Sequence, residues 1–335
     1  MDTRGPEIYD QVQNSHVLLA KMNESGMADP WTEGGENIEF IIKTSQNSSF
    51  AARDYKDQLT FAEQDFLETV SLPSRYINGQ CMWFDAQVDT NSSKAKVIDL
   101  VDSIVNDAKD GAKTAFAMEM WQSGSGEHLH GIGTVFDHDN TYLGIDRTVA
   151  ANAFWRARHS DAGHTSFTQS HADGTAITYG PYHTAESLVV EGGTDGGIQK
   201  LYDDLCDNGG TDGPNLAITT EGLYRKLCSL KKAYDFGYNQ KLGELGWPEN
   251  LQYRNMAITW DWNVTGQFAS GALLAFNTKY WKMKPYAGYS KTFKSTETFN
   301  LYSNGILAKA RIMQWRGNLA CLKPQKQGAL TGKTV

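Results

Sequence analysis

From Asn91 to Trp121 the apolar residues Val97, Leu100, Val101, Ile104, Val105, Ala108, Ala112, Ala115 and Phe116 recur at intervals of mostly three and four. That spacing places them on one stripe of a helix and predicts a single long element over 92–121. Ser92 or Ser93 suits its start, and Gly124 and Gly126 follow its end. Gly111, inside it, costs up to about 1 kcal/mol relative to Ala, which packing along the stripe offsets.

Around this helix the pattern is mixed. Pro6 and the spacing of Ile8, Val12, Leu19 and Met22 predict a helix over 6–24, ended by Gly26 and Pro30. Its apolar face needs the body or another copy to cover it. Asn37 to Thr44 alternates as a strand with Ile38, Phe40 and Ile42 on one face. A polar stretch, 45–65, leads to an apolar return over 66–84, where Pro73 and Asn78-Gly79 read as breaks. Residues 127–182 are rich in Gly, His and Asp and show no period. Helices near 198–206 and 221–234 then interleave with strands near 216–220, 255–262, 273–283 and 309–321. This points to an α+β chain with a mixed sheet.

The chain has 335 residues, more than one typical domain, and 40% hydrophobic residues, enough for a buried core. No run of about 18 apolar residues occurs, so no membrane-spanning helix is expected. The N-terminus shows no basic start followed by an apolar stretch, so no secretion leader is expected. The four cysteines are far apart and form no CxxC pair, which suggests reduced, buried thiols. The net charge is −8, yet residues 271–335 carry 11 Lys and Arg against the acid Glu297, a net +10. The first 270 residues hold the remaining 20 bases and 38 acids, a net −18. Either these charges meet within one folded body, or the basic segment meets acidic neighbours or nucleic acid.

Four strings add a more specific signal. They are Gly144-Ile-Asp-Arg-Thr-Val-Ala-Ala-Asn-Ala-Phe-Trp-Arg156, Leu216-Ala-Ile-Thr-Thr-Glu-Gly-Leu-Tyr224, Leu274-Ala-Phe-Asn-Thr-Lys-Tyr-Trp-Lys-Met283, and the run from Ala308 to Leu330. In this order they resemble tailed-phage major capsid proteins with the Hong Kong 97-type fold. The resemblance implies an N-arm over 1–36, an extended E-loop hairpin over 37–84, and a P-domain over 85–184 with the spine helix 92–121. An A-domain of mixed sheet and helices over 185–300 and a return to the P-domain over 301–335 complete the layout. It further implies a virion protein assembled in the host cytoplasm, self-associating in hexamers and pentamers around packaged double-stranded DNA, with portal, scaffold or decoration proteins as further partners. Gly144, Ile145, Asp146, Arg147, Trp155, Arg156, Asn277, Trp315, Gly317 and Asn318 are then structural, and Ile8, Val12, Leu19, Phe50, Tyr55 and Phe61 are expected between subunits. No cofactor is implied.

Two readings from other classes compete. His128 and His130, with His138 nearby, form an HxH pair that on a strand would face one way, as in a metal-dependent hydrolase. Gly131 and Gly133 argue for a loop there, and no HExxH motif is present. The basic C-terminal segment is the feature of a nucleic-acid binding module. Gly328 to Thr334 falls one residue short of a phosphate loop and leads into no helix. No GxSxG elbow appears, so no catalytic residue is assigned.

Overall fold

The computed structural model describes residues 17–18, 29–31, 35–45, 50, 52, 54, 56, 66–90, 100–137, 141–160, 167–170, 176–179, 198–206, 212–230, 251–268, 271–286 and 293–331. Strand β1 (Asn37–Lys43) pairs antiparallel with β2 (Leu67–Pro73), Ile38 opposite Leu72 and Ile41 opposite Thr69. Strand β3 (Arg75–Phe84) is followed by the short helix α1 (Asp85–Thr90) and the long helix α2 (Leu100–Glu119). After α2 come α3 (Ile132–Phe136), the two-residue strands β4 (Thr141–Tyr142) and β5 (Ile145–Asp146), a 3-10 turn at Ala150–Trp155, and β6 (Arg158–Ser160). A small hairpin joins β7 (Phe167–Ser170) to β8 (Ala176–Tyr179). Next are α4 (Ile198–Leu205), β9 (Leu216–Thr219), α5 (Glu221–Leu230), β10 (Leu251–Tyr253), β11 (Met256–Trp260) and α6 (Trp262–Gln267). The chain closes with β12 (Leu273–Phe276), β13 (Trp281–Pro285), β14 (Lys294–Ser295), β15 (Phe299–Asn300), β16 (Ala308–Cys321) and β17 (Gly328–Leu330).

The chain forms two compact units. The first comprises 1–34, 74–132 and 282–320, and the second 35–73, 133–281 and 321–335. These cuts differ from the sequence-based segments: β3 groups with the long helix, not with the β1–β2 ribbon.

In the first unit β16 is the central strand. Along one edge β3 pairs with it over ten residues, from Ala308 opposite Phe84 to Gly317 opposite Arg75. On the other edge lie β13, β14 and β15. Helix α2 covers one face, where Val105 packs with Cys81, Trp83 and Met313. Phe116 meets Trp315 edge to face at 4.8 Å. Ahead of this unit's body, Asp29 and Trp31 donate backbone hydrogen bonds to Met283 and Pro285 (2.9 and 2.8 Å). Lys284 pairs with Asp29 at 2.5 Å.

The second unit is built on a six-stranded mixed sheet, ordered β10-β11-β9-β12-β17-β6. Strands β9 and β11 run parallel, β12 antiparallel to β9 and β17, and β17 parallel to β6. On one face Ala217, Ile258, Leu273, Ala275 and Leu330 meet Ile198, Leu201 and Leu205 of α4 and Leu223 and Leu227 of α5. On the opposite face Phe276 meets Phe136 edge to face at 5.1 Å. Every residue of β9 and β12 is buried, the mark of a sheet covered on both sides.

Several expectations need correction. The Asn78-Gly79 pair is no break, because β3 runs straight through it. The strand expected over 273–283 is two strands, parted by a 3-10 turn at Thr278–Tyr280 whose Lys279 amide is capped by the Asn277 side chain. The strand near 255–262 stops at Trp260, and Asp261 caps a helix there by accepting from the Asn263 amide (2.9 Å). The long helix ends at Glu119 rather than 121, and its expected start over 92–99 lies outside the described residues.

Within the ribbon, Ile38, Val70 and Leu72 are at most 2% exposed. Of the N-terminal helix, Val17 and Leu18 are described, and they too are buried. Ile8, Val12, Leu19, Tyr55, Phe61 and His138 lie outside the described residues. Cys81, Cys206 and Cys321 are buried and Cys228 half-buried, all as free thiols.

Candidate assembly surface

The ladder between β3 and β16 sorts their side chains onto two faces, because directly opposed residues share a face. Trp83 and Cys81 lie on the face under α2. Phe84, Met82 and Tyr76 lie on the other, opposite Ala308, Ala310 and Arg316, and Phe299 of β15 also opposes Ala310. This second face carries apolar side chains in the open. Phe84 is 44% exposed, Met82 45% and Tyr76 49%, with Ile312 and Phe299 at 39%. Ile306 and Leu307, just before β16, are exposed as well. Ala308 and Ala310 form a low floor between the larger side chains. Grouped apolar exposure of this kind is a candidate interaction site.

The second unit exposes apolar side chains of its own. Phe50, expected between subunits, is 86% exposed, and Ile41, Phe66 and Leu67 of the ribbon region also face outward. At the end of β11, Trp260 and Trp262 are exposed on either side of the buried cap Asp261.

Most of the motif residues named in the four strings pack or hydrogen-bond within their own unit. Leu143 and Gly144 both have positive φ (53° and 86°) in the two-residue turn between β4 and β5, a turn type that requires this at both positions. Ile145 is buried, and Asp146 accepts from the amide and hydroxyl of Thr148 (2.9 and 2.7 Å), which hold its carboxyl below the usual range. Arg147 is fully buried and donates to the carbonyls of Val135 (2.9 Å) and Thr134 (2.6 Å). Its guanidinium therefore closes the C-terminal turn of α3, where the helix dipole favours a cation. The same device recurs at α4, whose last carbonyl, Leu205, accepts from the buried Lys326 ammonium at 3.0 Å.

Trp155 stacks on Tyr142 and donates to its carbonyl at 3.1 Å, while Arg156 donates to the carbonyls of Arg147 and Val149. The Tyr142 hydroxyl accepts from the Cys321 amide (2.7 Å), and burial pushes the Cys321 thiol up to about 12. Asn277 joins two distant segments: its backbone amide donates to Gln327 (2.9 Å) and its side chain to Gly213 (3.0 Å). Nearby, burial works against the Asp212 carboxylate, but hydrogen bonds from Tyr280, Lys279 and Asn277 outweigh it and lower its pKa. In the first unit, a Cβ on Gly317 would come within 2.5 Å of the Lys284 carbonyl, so only Gly fits there.

The histidine pair does not converge. Residues 128–130 form a loop, not a strand. His128 Nδ1 faces Glu119 at 3.0 Å, whereas His130 Nδ1 accepts from the buried Asn318 side chain at 3.2 Å. Asn318 also accepts from the His130 amide at 2.9 Å. Burial, with Arg75 adding a smaller effect, holds His130 neutral and lowers its pKa to about 4. Among the described residues no three His, Cys, Asp or Glu side chains are grouped to hold a metal. The charge asymmetry is met internally in part: Lys284 pairs with Asp29, Lys279 with Asp212 and Lys309 with Asp85 (2.5, 3.3 and 3.6 Å). Sequence reasoning missed Met82, Phe84, Phe299 and Ile312. Alternation was present in β3, but nothing in it told which face would stay open.

No protein-family model matches the chain, and no curated protein matches it. Solved structures do. The cyanophage A-1(L) capsid asymmetric unit is similar with a TM-score of 0.62 at 12% identity, covering 98% of each chain. The capsid of Myoviridae phage XM1 gives 0.55 at 12% identity, covering 99% of this chain and 96% of that one. The capsid of cyanophage P-SCSP1u gives 0.56 at 11% identity, covering 100% and 93%. Across nearly its whole length, the chain has the α+β fold found in these phage capsids.

Proposed function

We propose that this chain is a major capsid protein that self-assembles into the icosahedral head of a tailed phage. One observation carries the reading: the fold likeness to capsid structures extends over 98% or more of this chain. The open apolar face of the β3–β16 sheet fits the role. Completing the burial of one half-exposed Met, Phe or Ile side chain is worth about 1 kcal/mol. Such contacts, repeated around rings of five and six, add up to a closed shell.

In this reading α2 is the spine helix, the second unit's six-stranded sheet is the A-domain, and residues 44–66 between β1 and β2 are the reaching tip of the E-loop. The buried base of the ribbon keeps that tip attached to its own subunit. The shell encloses packaged double-stranded DNA, and its place is the virion. The metal-hydrolase reading gains nothing from His128 and His130, which bind different partners.

Electron microscopy of the purified chain, concentrated in steps, tests the proposal. Rings or closed shells are the expected outcome. A compact monomer persisting at millimolar concentration overturns it.

A further inference from the structure

One cation sits where four segments of the first unit meet. Arg316 of β16 donates through Nε and Nη2 to the Ser74 hydroxyl (3.3 and 3.1 Å). Its guanidinium carbon also lies over three rings, 4.3 Å from the ring centre of Tyr286, 5.1 Å from that of Tyr76 and 5.8 Å from that of Trp31. Trp31 meets Tyr286 edge to face at 5.2 Å, and the Tyr286 amide donates to the Arg316 carbonyl (2.9 Å). The walls of this cage differ in their access to water. Trp31 is 5% exposed, Arg316 and Tyr286 are half-buried, and Tyr76, on the open apolar face, is 49% exposed. Attraction between a cation and a ring strengthens by roughly five- to tenfold, as an equilibrium constant, when water is excluded. A guanidinium is more weakly hydrated than an ammonium, so it gives up that water at lower cost.

We propose that Arg316 couples the open apolar face to the chain that enters at Trp31. When a second copy covers Tyr76, water leaves the guanidinium and the cage closes more firmly on Trp31. Tyr76 and Trp31 come from separate stretches, the start of β3 and the chain ahead of β1, and share Arg316 as their common partner. Asp29 and Trp31, whose amides donate to Met283 and Pro285, are then held more tightly without being touched by the copy. Such coupling is reciprocal: whatever seats Trp31 in the cage also favours the covering of Tyr76. The inference rests on the shell reading and adds to it a response within the subunit.

Hydrogen exchange reads the cage and the coupling separately. Arg316→Met keeps the apolar stem but removes the cation. In dispersed subunits of this variant the amides of Asp29 and Trp31 should exchange about fivefold faster than in wild type, or more. The amides that pair β3 with β16 should keep their wild-type rates, which reports an intact fold. If that ladder loosens, Arg316→Lys, which keeps the charge but loses the flat fork, takes its place. Unchanged exchange at 29 and 31 overturns the cage. In wild-type shells the same two amides should exchange about five- to tenfold more slowly than in dispersed subunits, and in Trp31→Leu shells less than about twofold more slowly. No slowing in wild type, or equal slowing in both, overturns the coupling. A Trp31→Leu chain that melts as wild type yet forms no shells supports it, because a side chain 5% exposed offers a neighbour nothing of its own to bind. A wild-type chain that never associates sinks the shell reading and the coupling with it, but not the cage, which the dispersed subunit tests by itself.

Discussion

The two sheets of this molecule solve the same problem differently. In the second unit β9 and β12 are buried at every position, with α4 and α5 on one face and Phe136 on the other. In the first unit α2 covers one face of β3 and β16, while Met82, Phe84, Phe299 and Ile312 remain in the open. One sheet is finished by its own chain. The other is left half-finished, and under the proposed function the difference separates what a subunit needs to fold from what it needs to associate.

Substitutions on the two sheets should therefore separate stability from assembly. The largest effect is expected at Phe276→Ala, which empties a fully enclosed aromatic site in the second unit. A loss of about 3–5 kcal/mol in denaturant unfolding is expected, and a loss under about 1 kcal/mol would show that this sheet is not self-sufficient. An intermediate effect is expected from acid at His130. Its folded pKa is about 4, below the unfolded value of 6.5, so the unfolded chain takes up the proton first. Stability present above about pH 6.5 is then lost as pH falls toward 4, by about 2–3 kcal/mol after allowance for its partial exposure. His130→Gln should flatten that part of the stability-versus-pH curve, and an unchanged slope would assign the acid sensitivity elsewhere. The smallest change in stability is expected from Met82→Ser with Ile312→Ser, within about 0.5 kcal/mol of wild type. The same pair should abolish shells in electron micrographs, and normal shells would mean the open face makes no contact.

How much of this was legible in the sequence follows from element length. The stripe through Val101, Ile104 and Val105 spans several helical turns, so its period announced α2. The strand expected near 309–321 corresponds to β16. Residues 127–160 were opaque because α3, β4 and β5 are two to five residues long, shorter than the period that would reveal them. Asn78-Gly79 misled because that pair favours tight turns. Here Gly79 instead leaves space beside α2 within an unbroken strand. Arg147 and Lys326 were legible as charges but not as helix caps, since their carbonyl partners lie 12 and 121 residues away. Whether an apolar face would be covered was beyond reach in both directions. Ile38 and Leu72 proved sheltered, and Met82 and Phe84 proved open, with the same kind of alternation behind each.

The pairing of Asp29 and Trp31 with β13 has a mechanical consequence. A pull on the chain ahead of Asp29, directed along β13, loads the hydrogen bonds to Met283 and Pro285 and the Lys284–Asp29 ion pair together rather than peeling them one at a time. Tension arriving from the N-terminal side is thus handed to the central strand through its neighbour.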